Sequence, residues 1–271
     1  MPDPTKATIS ATQSPGLFGV SPYVTRWMLW QSFAKGVNID SPADSRMTWG
    51  TKLQPLIVAQ AAEDLKLEVR PNDGDVYHRR GLLGCTRDAT IICPDRGPGA
   101  LETKCVFDYR TWMADWQGGK VAPRHYEIQL QQQMAVGDET RAYEWGVLAV
   151  WVAGDVHYFE RKPIVDLWKR LADEAGAFFE SVNTGTEPDP FSVPIEIEWL
   201  VKLLPTEAGK IIDLSEDTAA EVHSLAVRAY RDAKEQENAG KRTAEPLRAK
   251  LLALARDAEK VKLPGRIENA G

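Results

Sequence analysis

Cysteine is scarce in this chain: Cys85, Cys93 and Cys105 are the only three among 271 residues, and no two form a Cys-x-x-Cys pair. Three thiols cannot supply a four-cysteine zinc or iron–sulfur centre or a disulfide framework, so they read as reduced thiols packed in a core. The four histidines, His78, His125, His157 and His223, show no metal-ligand spacing. No apolar run approaches the roughly eighteen residues that a membrane span needs. The segment Met1–Ser14 lacks the charged-then-apolar layout of a secretory leader. There is no internal repeat and no low-complexity tract. The expectation is a soluble, cytoplasmic protein with no membrane partner. With 43% hydrophobic residues the chain can bury a sizeable core, as one large domain or a domain with an appendage.

The net charge of −6 is unevenly distributed. Residues 79–124 carry eight Lys/Arg against five Asp/Glu, whereas residues 125–212 carry seven against fifteen. A basic segment on an acidic body suits a protein that draws a polyanion to one place.

Helical spacing of apolar residues predicts helices over Pro22–Ala34 and Trp49–Leu65, where Pro55 suits only a first turn or a kink. Residues 67–106 read as strands. Tyr109–Trp116 and Pro123–Val136 read as helices, the second with Gln131, Gln132 and Gln133 as surface residues. Tyr143–Ala153 reads as an apolar strand that His157–Glu160 joins in a hairpin, and Ile164–Val182 as a helix closing the core. Trp112 and Trp116 are better explained by packing than by stacking on a base. The character changes after Pro190. Ile195–Leu204 reads as a helix, and Thr218–Leu263 as a charged helical hairpin split at Gly240 and Pro246.

The most informative stretch is Arg87-Asp88, thirteen intervening residues, then Glu102-Thr103-Lys104. Ala89–Cys93 and Gly99–Val106 read as paired strands around the turn Pro94–Pro98. Residues two apart on a strand share a face, so Glu102 and Lys104 point together while Thr103 points away. An Asp followed by Glu-x-Lys on adjoining strands resembles the PD-(D/E)xK core of metal-dependent phosphodiesterases. There two carboxylates converge on a divalent cation and a lysine reaches the attacking water.

The surrounding motifs extend the likeness. Ile9-Ser10-Ala11-Thr12 with Leu17–Tyr23, Trp49–Pro55, Cys85–Asp88, Leu101–Cys105, and Tyr126–Gln131 with Met134–Val136 occur in order. Together they resemble the lambda-type phage exonucleases, the YqaJ family of viral recombinases, over about Ile9 to Leu214. Three departures stand out: Arg87 where the family has Pro, Thr86 and Thr12 where it has Ser, and Gln54 where it has Glu.

The resemblance implies an α/β fold with a restriction-endonuclease-like core, a mixed central sheet flanked by helices. Residues 9–214 would be the nuclease domain, between a tail at 1–8 and a C-terminal helical hairpin at 215–271. It implies a Mg²⁺-dependent 5′→3′ exonuclease on linear double-stranded DNA ends, with Mn²⁺ as a substitute and one or two ions per site. Asp88, Glu102, Lys104, Gln129 and Tyr126 would be catalytic. Asp88 and Glu102 would hold the metal, with Gln54 and the Thr103 backbone carbonyl as further donors. Arg110, Thr12, Thr86 and Arg87 would contact DNA or its 5′-phosphate. A single-strand annealing protein of the RecT or Beta type and a homo-oligomeric (trimeric) ring are the implied partners. The alternatives are an endonuclease on the same fold and a DNA-binding scaffold weakened at Gln54.

Overall fold

The computed structural model describes residues 8–39, 44–72, 76–138, 140–189, 217–255, 260–263 and 266–269, together with Glu196, Ile211 and Asp213. The expected tail at 1–8 and the helix over 195–204 lie almost wholly outside these residues. The chain forms two units, Met1–Pro205 and Thr206–Gly271.

The first unit begins with β1 (Ile9–Ser10), α1 (Ser14–Leu17), α2 (Arg26–Lys35) and α3 (Ser45–Leu65). Strands β2 (Glu68–Pro71), β3 (Tyr77–Arg80), β4 (Leu83–Thr86), β5 (Ala89–Cys93) and β6 (Gly97–Val106) follow. Then come α4 (Tyr109–Asp115), α5 (Arg124–Val136), β7 (Gly146–Val152), β8 (Asp155–Arg161) and α6 (Val165–Thr184). A five-stranded sheet of order β2-β5-β6-β7-β8 forms the centre, and a smaller sheet has the order β1-β4-β3. In the large sheet only β6 and β7 run parallel, with α4 and α5 in the crossover between them. Strand β7 is buried on both faces, which explains its uninterrupted apolar run.

Helix α3 covers one face, packing Ile57, Val58 and Ala61 on Ala89, Ile91, Leu101 and Val147. Asp44 caps its start by accepting from the Met47 amide at 2.8 Å. Pro55 sits in mid-helix, so the amide that would donate to the Thr51 carbonyl is missing there. Helix α5 covers the other face, with Leu130 and Met134 against Ala100, Leu148 and Val150. Its opposite side, through Ile128 and Val136, joins a second cluster with Leu29, Leu83, Leu171 and Phe178. Helix α5 is therefore enclosed on all sides, and every residue from Ile128 to Val136 is buried.

That enclosure corrects the expectation for Gln131–Gln133, all three of which are fully buried. Gln131 accepts from the Ile164 amide and the Trp168 indole, both at 2.9 Å, and so ties α5 to the start of α6. Gln132 donates to the carbonyls of Ile9 and Gly84 at 2.8 and 2.9 Å, bridging β1 and β4. Buried amides persist only with such partners.

The second unit contains α7 (Ala220–Ala255) and a two-stranded antiparallel sheet of β9 (Lys260–Leu263) and β10 (Arg266–Asn269). The helical hairpin expected at 215–271 is thus corrected to one continuous helix followed by a β-hairpin. Glu237 accepts from Lys234 at 2.8 Å and from Lys241 at 2.5 Å, so ion pairs one turn apart carry the helix across Gly240. Pro246 is accommodated within it. No helix among the described residues is long and apolar enough to cross a membrane.

Candidate active site

Antiparallel pairing of Ala89 with Leu101 brings the residue before β5 beside the middle of β6. There Asp88 Oδ2 accepts from the Thr103 amide at 2.7 Å and from the Thr103 hydroxyl at 2.6 Å. Thr103 alternates away from Glu102 and Lys104 as expected, yet its hydroxyl turns back to hold Asp88.

Glu102 is 2% exposed and faces α5. Its Oε1 accepts from Lys104 Nζ and from Gln129 Nε2, and its Oε2 accepts from Gln133 Nε2 at 2.5 Å. Burial, then the charge of Asp88, pushes the Glu102 carboxyl up to about 7 against the pull of Lys104 and Gln133. Burial disfavours the Lys104 ammonium, but the Glu102 and Asp88 carboxylates outweigh it and raise its pKa.

Asp88, Glu102 and Lys104 open on a cleft of about 730 Å³, whose wall also includes Gln54, Thr12 and Tyr126, while Gln129 and Gln133 are buried behind Glu102 and do not line it. The Tyr126 ring lies 5.1 Å from Lys104 Nζ and stacks on Trp116 at 5.4 Å, which stacks on Trp112 at 5.5 Å. Both tryptophans are buried, consistent with packing. Burial and the neighbouring Tyr23 push the Tyr126 hydroxyl far above its usual range, so it stays protonated. His125, also on the wall, is pushed down to about 4, first by burial and then by Lys104, and is neutral at pH 7.

Not every residue singled out in the sequence reaches this cleft. Arg87 is corrected. Its side chain is buried, its guanidinium donates to the Gly137 carbonyl, and it lies 4.9 Å from the Tyr143 ring centre, so it holds the end of α5. Gly137 has φ +58, and a Cβ there would fall 2.0 Å from the Arg141 carbonyl oxygen, so only glycine fits that end. Thr86 and Arg110 are exposed but do not line the cleft. The arginine on the wall is Arg46, in the first turn of α3.

Gln133 and Arg46 were missed. Gln133 lies four residues after Gln129, a spacing that shares a helix face and was legible. Arg46 belongs to no motif, and no local signal marks it.

Among the described residues no three His, Cys, Asp or Glu side chains gather as a ready metal cage. Two carboxylates and an amide oxygen on one cleft are nonetheless hard donors suited to Mg²⁺, which keeps several waters. The mutual charge of Asp88 and Glu102 is what a cation would relieve. The residues therefore fit such an ion.

Residues 5–140 match the profile of the YqaJ-like viral recombinase domain. An alkaline exonuclease (LHK-Exo) from Laribacter hongkongensis shares the fold, with TM-score 0.52 and 17% identity over 72% of this chain and 92% of that one. LHK-Exo in complex with dAMP gives TM-score 0.50 at the same identity and coverage. A phage-related exonuclease from Haemophilus somnus 129PT is 12% identical, with TM-score 0.50 over 66% of this chain and 96% of that one. Among curated proteins none matches the sequence.

Proposed function

The chain belongs to the YqaJ-like viral recombinase family, and from that premise we propose that it is a Mg²⁺-dependent 5′→3′ exonuclease acting on linear duplex DNA ends. The observation that carries this is the convergence of Asp88, Glu102 and Lys104 at one cleft, with Gln129 donating to Glu102 from behind it. LHK-Exo, which shares the fold, is an alkaline exonuclease and was crystallised with dAMP.

Asp88 and Glu102 would hold one or two divalent ions, Mg²⁺ or Mn²⁺, with Gln54 and the Thr103 carbonyl as neutral donors. When bound, such an ion polarises the phosphate and acidifies the attacking water. Lys104 is protonated, so it donates: it orients the water and offsets charge on the phosphate. Tyr126, beneath the ammonium, limits where Lys104 can point. Hydrolysis joins the water oxygen to phosphorus and breaks the P–O3′ bond. The departing nucleotide keeps a 3′-hydroxyl, and the shortened strand regains a 5′-phosphate, the end on which the next cycle starts. Arg46 and the Thr12 hydroxyl would receive that phosphate at the cleft wall.

A single-strand annealing protein of the RecT or Beta type would coat the exposed strand, in the cytoplasm of a bacterial host. A homo-oligomeric ring would give processivity. Gln54 favours one second reading, a weakened DNA-binding scaffold, because an amide replaces a carboxylate on the cleft wall itself.

Nucleotide release from 5′- and 3′-labelled linear duplex, compared with closed circles, tests the proposal. Mg²⁺-dependent loss of the 5′ label from linear DNA alone is expected. Equal cutting of closed circles would favour an endonuclease, and end binding without cleavage would favour the scaffold.

A further inference from the structure

Gln133 lies one turn beyond Gln129 on α5, outside the motifs that carry the family resemblance. It is fully buried, and its Nε2 donates to Glu102 Oε2 at 2.5 Å. Its own Oε1 is buried and has no hydrogen-bond partner among the described residues. A buried acceptor left unpaired costs about 1–3 kcal/mol, so a position that needed only packing would be better served by an apolar side chain. The reverse orientation of the amide would set its oxygen against the carboxylate, so the bond to Glu102 dictates the one observed.

Two amides from successive turns of one helix thus take the two oxygens of Glu102. Oε1 has two donors, Lys104 and Gln129, and no in-plane lone pair remains. Oε2 accepts from Gln133 alone among the described residues, which leaves one lone pair. We propose that Gln133 is a positioning residue: it fixes the carboxylate plane of Glu102 so that the remaining Oε2 lone pair is presented to a divalent cation. This rests on the metal-dependent reading given above. Because α5 is enclosed by the sheet and by the second cluster, the amide is anchored on a rigid element, as a partner that orients a metal ligand needs to be.

The test is Gln133→Met, which preserves volume and removes the N–H donor. Mn²⁺ binding to the full-length protein without DNA would be measured by calorimetry, alongside steady-state kinetics. Mn²⁺ affinity should fall about 10- to 100-fold, the usual cost of losing a partner that orients a ligand. At saturating Mn²⁺, kcat should stay within roughly threefold and KM for duplex ends should not move, because a positioning role acts through the metal site. Unchanged Mn²⁺ affinity in the variant, or a loss of kcat that saturating metal does not recover, overturns the proposal and leaves the metal-dependent reading standing. No Mn²⁺ binding by the wild type overturns both. Should Gln133→Met fail to fold, Gln133→Asn applies the same test: it keeps an amide but is one methylene too short to reach Glu102, and wild-type affinity in it overturns the proposal.

Discussion

The main-chain amide and the side-chain hydroxyl of Thr103 converge on a single oxygen of Asp88, at 2.7 and 2.6 Å. The middle residue of the Glu-x-Lys triplet therefore orients the first carboxylate. Thr103→Val keeps the shape and the amide bond but removes the hydroxyl. A hydrogen bond to a charged group is worth about 2 kcal/mol, so thermal stability should drop by a comparable amount. Activity should fall at limiting Mg²⁺ and recover in large part at saturation. Mg²⁺ titrations of Thr103→Val and wild type check this.

The raised carboxyl of Glu102 has a signed consequence. In the folded protein Glu102 holds its proton up to about pH 7, whereas unfolded it loses it near 4.5. The folded state binds the extra proton between these values, so metal-free stability should fall as pH rises from about 4.5 to 7 and level off above. A cation must displace that proton, so the Mg²⁺ concentration for half-maximal rate should rise about tenfold per pH unit below 7 and flatten at alkaline pH. Melting temperature and Mg²⁺ half-saturation measured from pH 5 to 9 test both trends. Glu102→Gln should abolish cleavage and remove the fall in stability.

Gln54 faces the same cleft as both carboxylates. Gln54→Glu adds the charge that the resembling family has there, and should lower half-saturating Mg²⁺ on the order of tenfold with little change in the maximal rate. Restoration of cutting to an inert wild type would establish the scaffold reading instead.

Recognition of the 5′ end should depend on Arg46 more than on Arg110, because only Arg46 is on the cleft wall. Digestion of 5′-phosphorylated duplex should outpace that of 5′-hydroxyl duplex at fixed salt. Arg46→Ala should bring the ratio toward one and Arg46→Lys should recover part of it, since the guanidinium grips phosphate through two bonds. Arg110→Ala should leave the ratio near that of the wild type. The reverse pattern would return the phosphate pocket to α4.

Arg87 should act on stability and not on DNA binding. Its guanidinium is buried against the Gly137 carbonyl and the Tyr143 ring. Arg87→Met should lower stability by about 2 kcal/mol. The salt dependence of DNA binding should stay unchanged, since no phosphate contact is lost. A smaller salt slope in the variant would reinstate Arg87 as a DNA contact.

The elements of the core and the chemical pair at their centre are legible in the order of residues alone. Two-residue alternation set Glu102 beside Lys104, the short turn after Cys93 set the β5–β6 hairpin, and an unbroken apolar run marked β7 as a central strand. These are local properties, readable from spacing. The surroundings of each side chain depend on how those elements pack. A run of glutamines reads as a solvated helix face until α5 is enclosed by the sheet on one side and α1, α2 and α6 on the other. Only then do Gln129 and Gln133 become the donors on Glu102, and Gln131 and Gln132 the ties to α6, β1 and β4. Arg87 is adjacent in sequence to Asp88 and yet serves the end of α5, because alternation sends neighbouring residues to different surroundings. Arg46 reaches the cleft wall through the placement of α3, and α7 runs on through Gly240 and Pro246, where their local preference predicts a break. Whether a polar residue is a ligand, a strut or a surface group depends on what packs around it, and packing joins residues far apart in the chain.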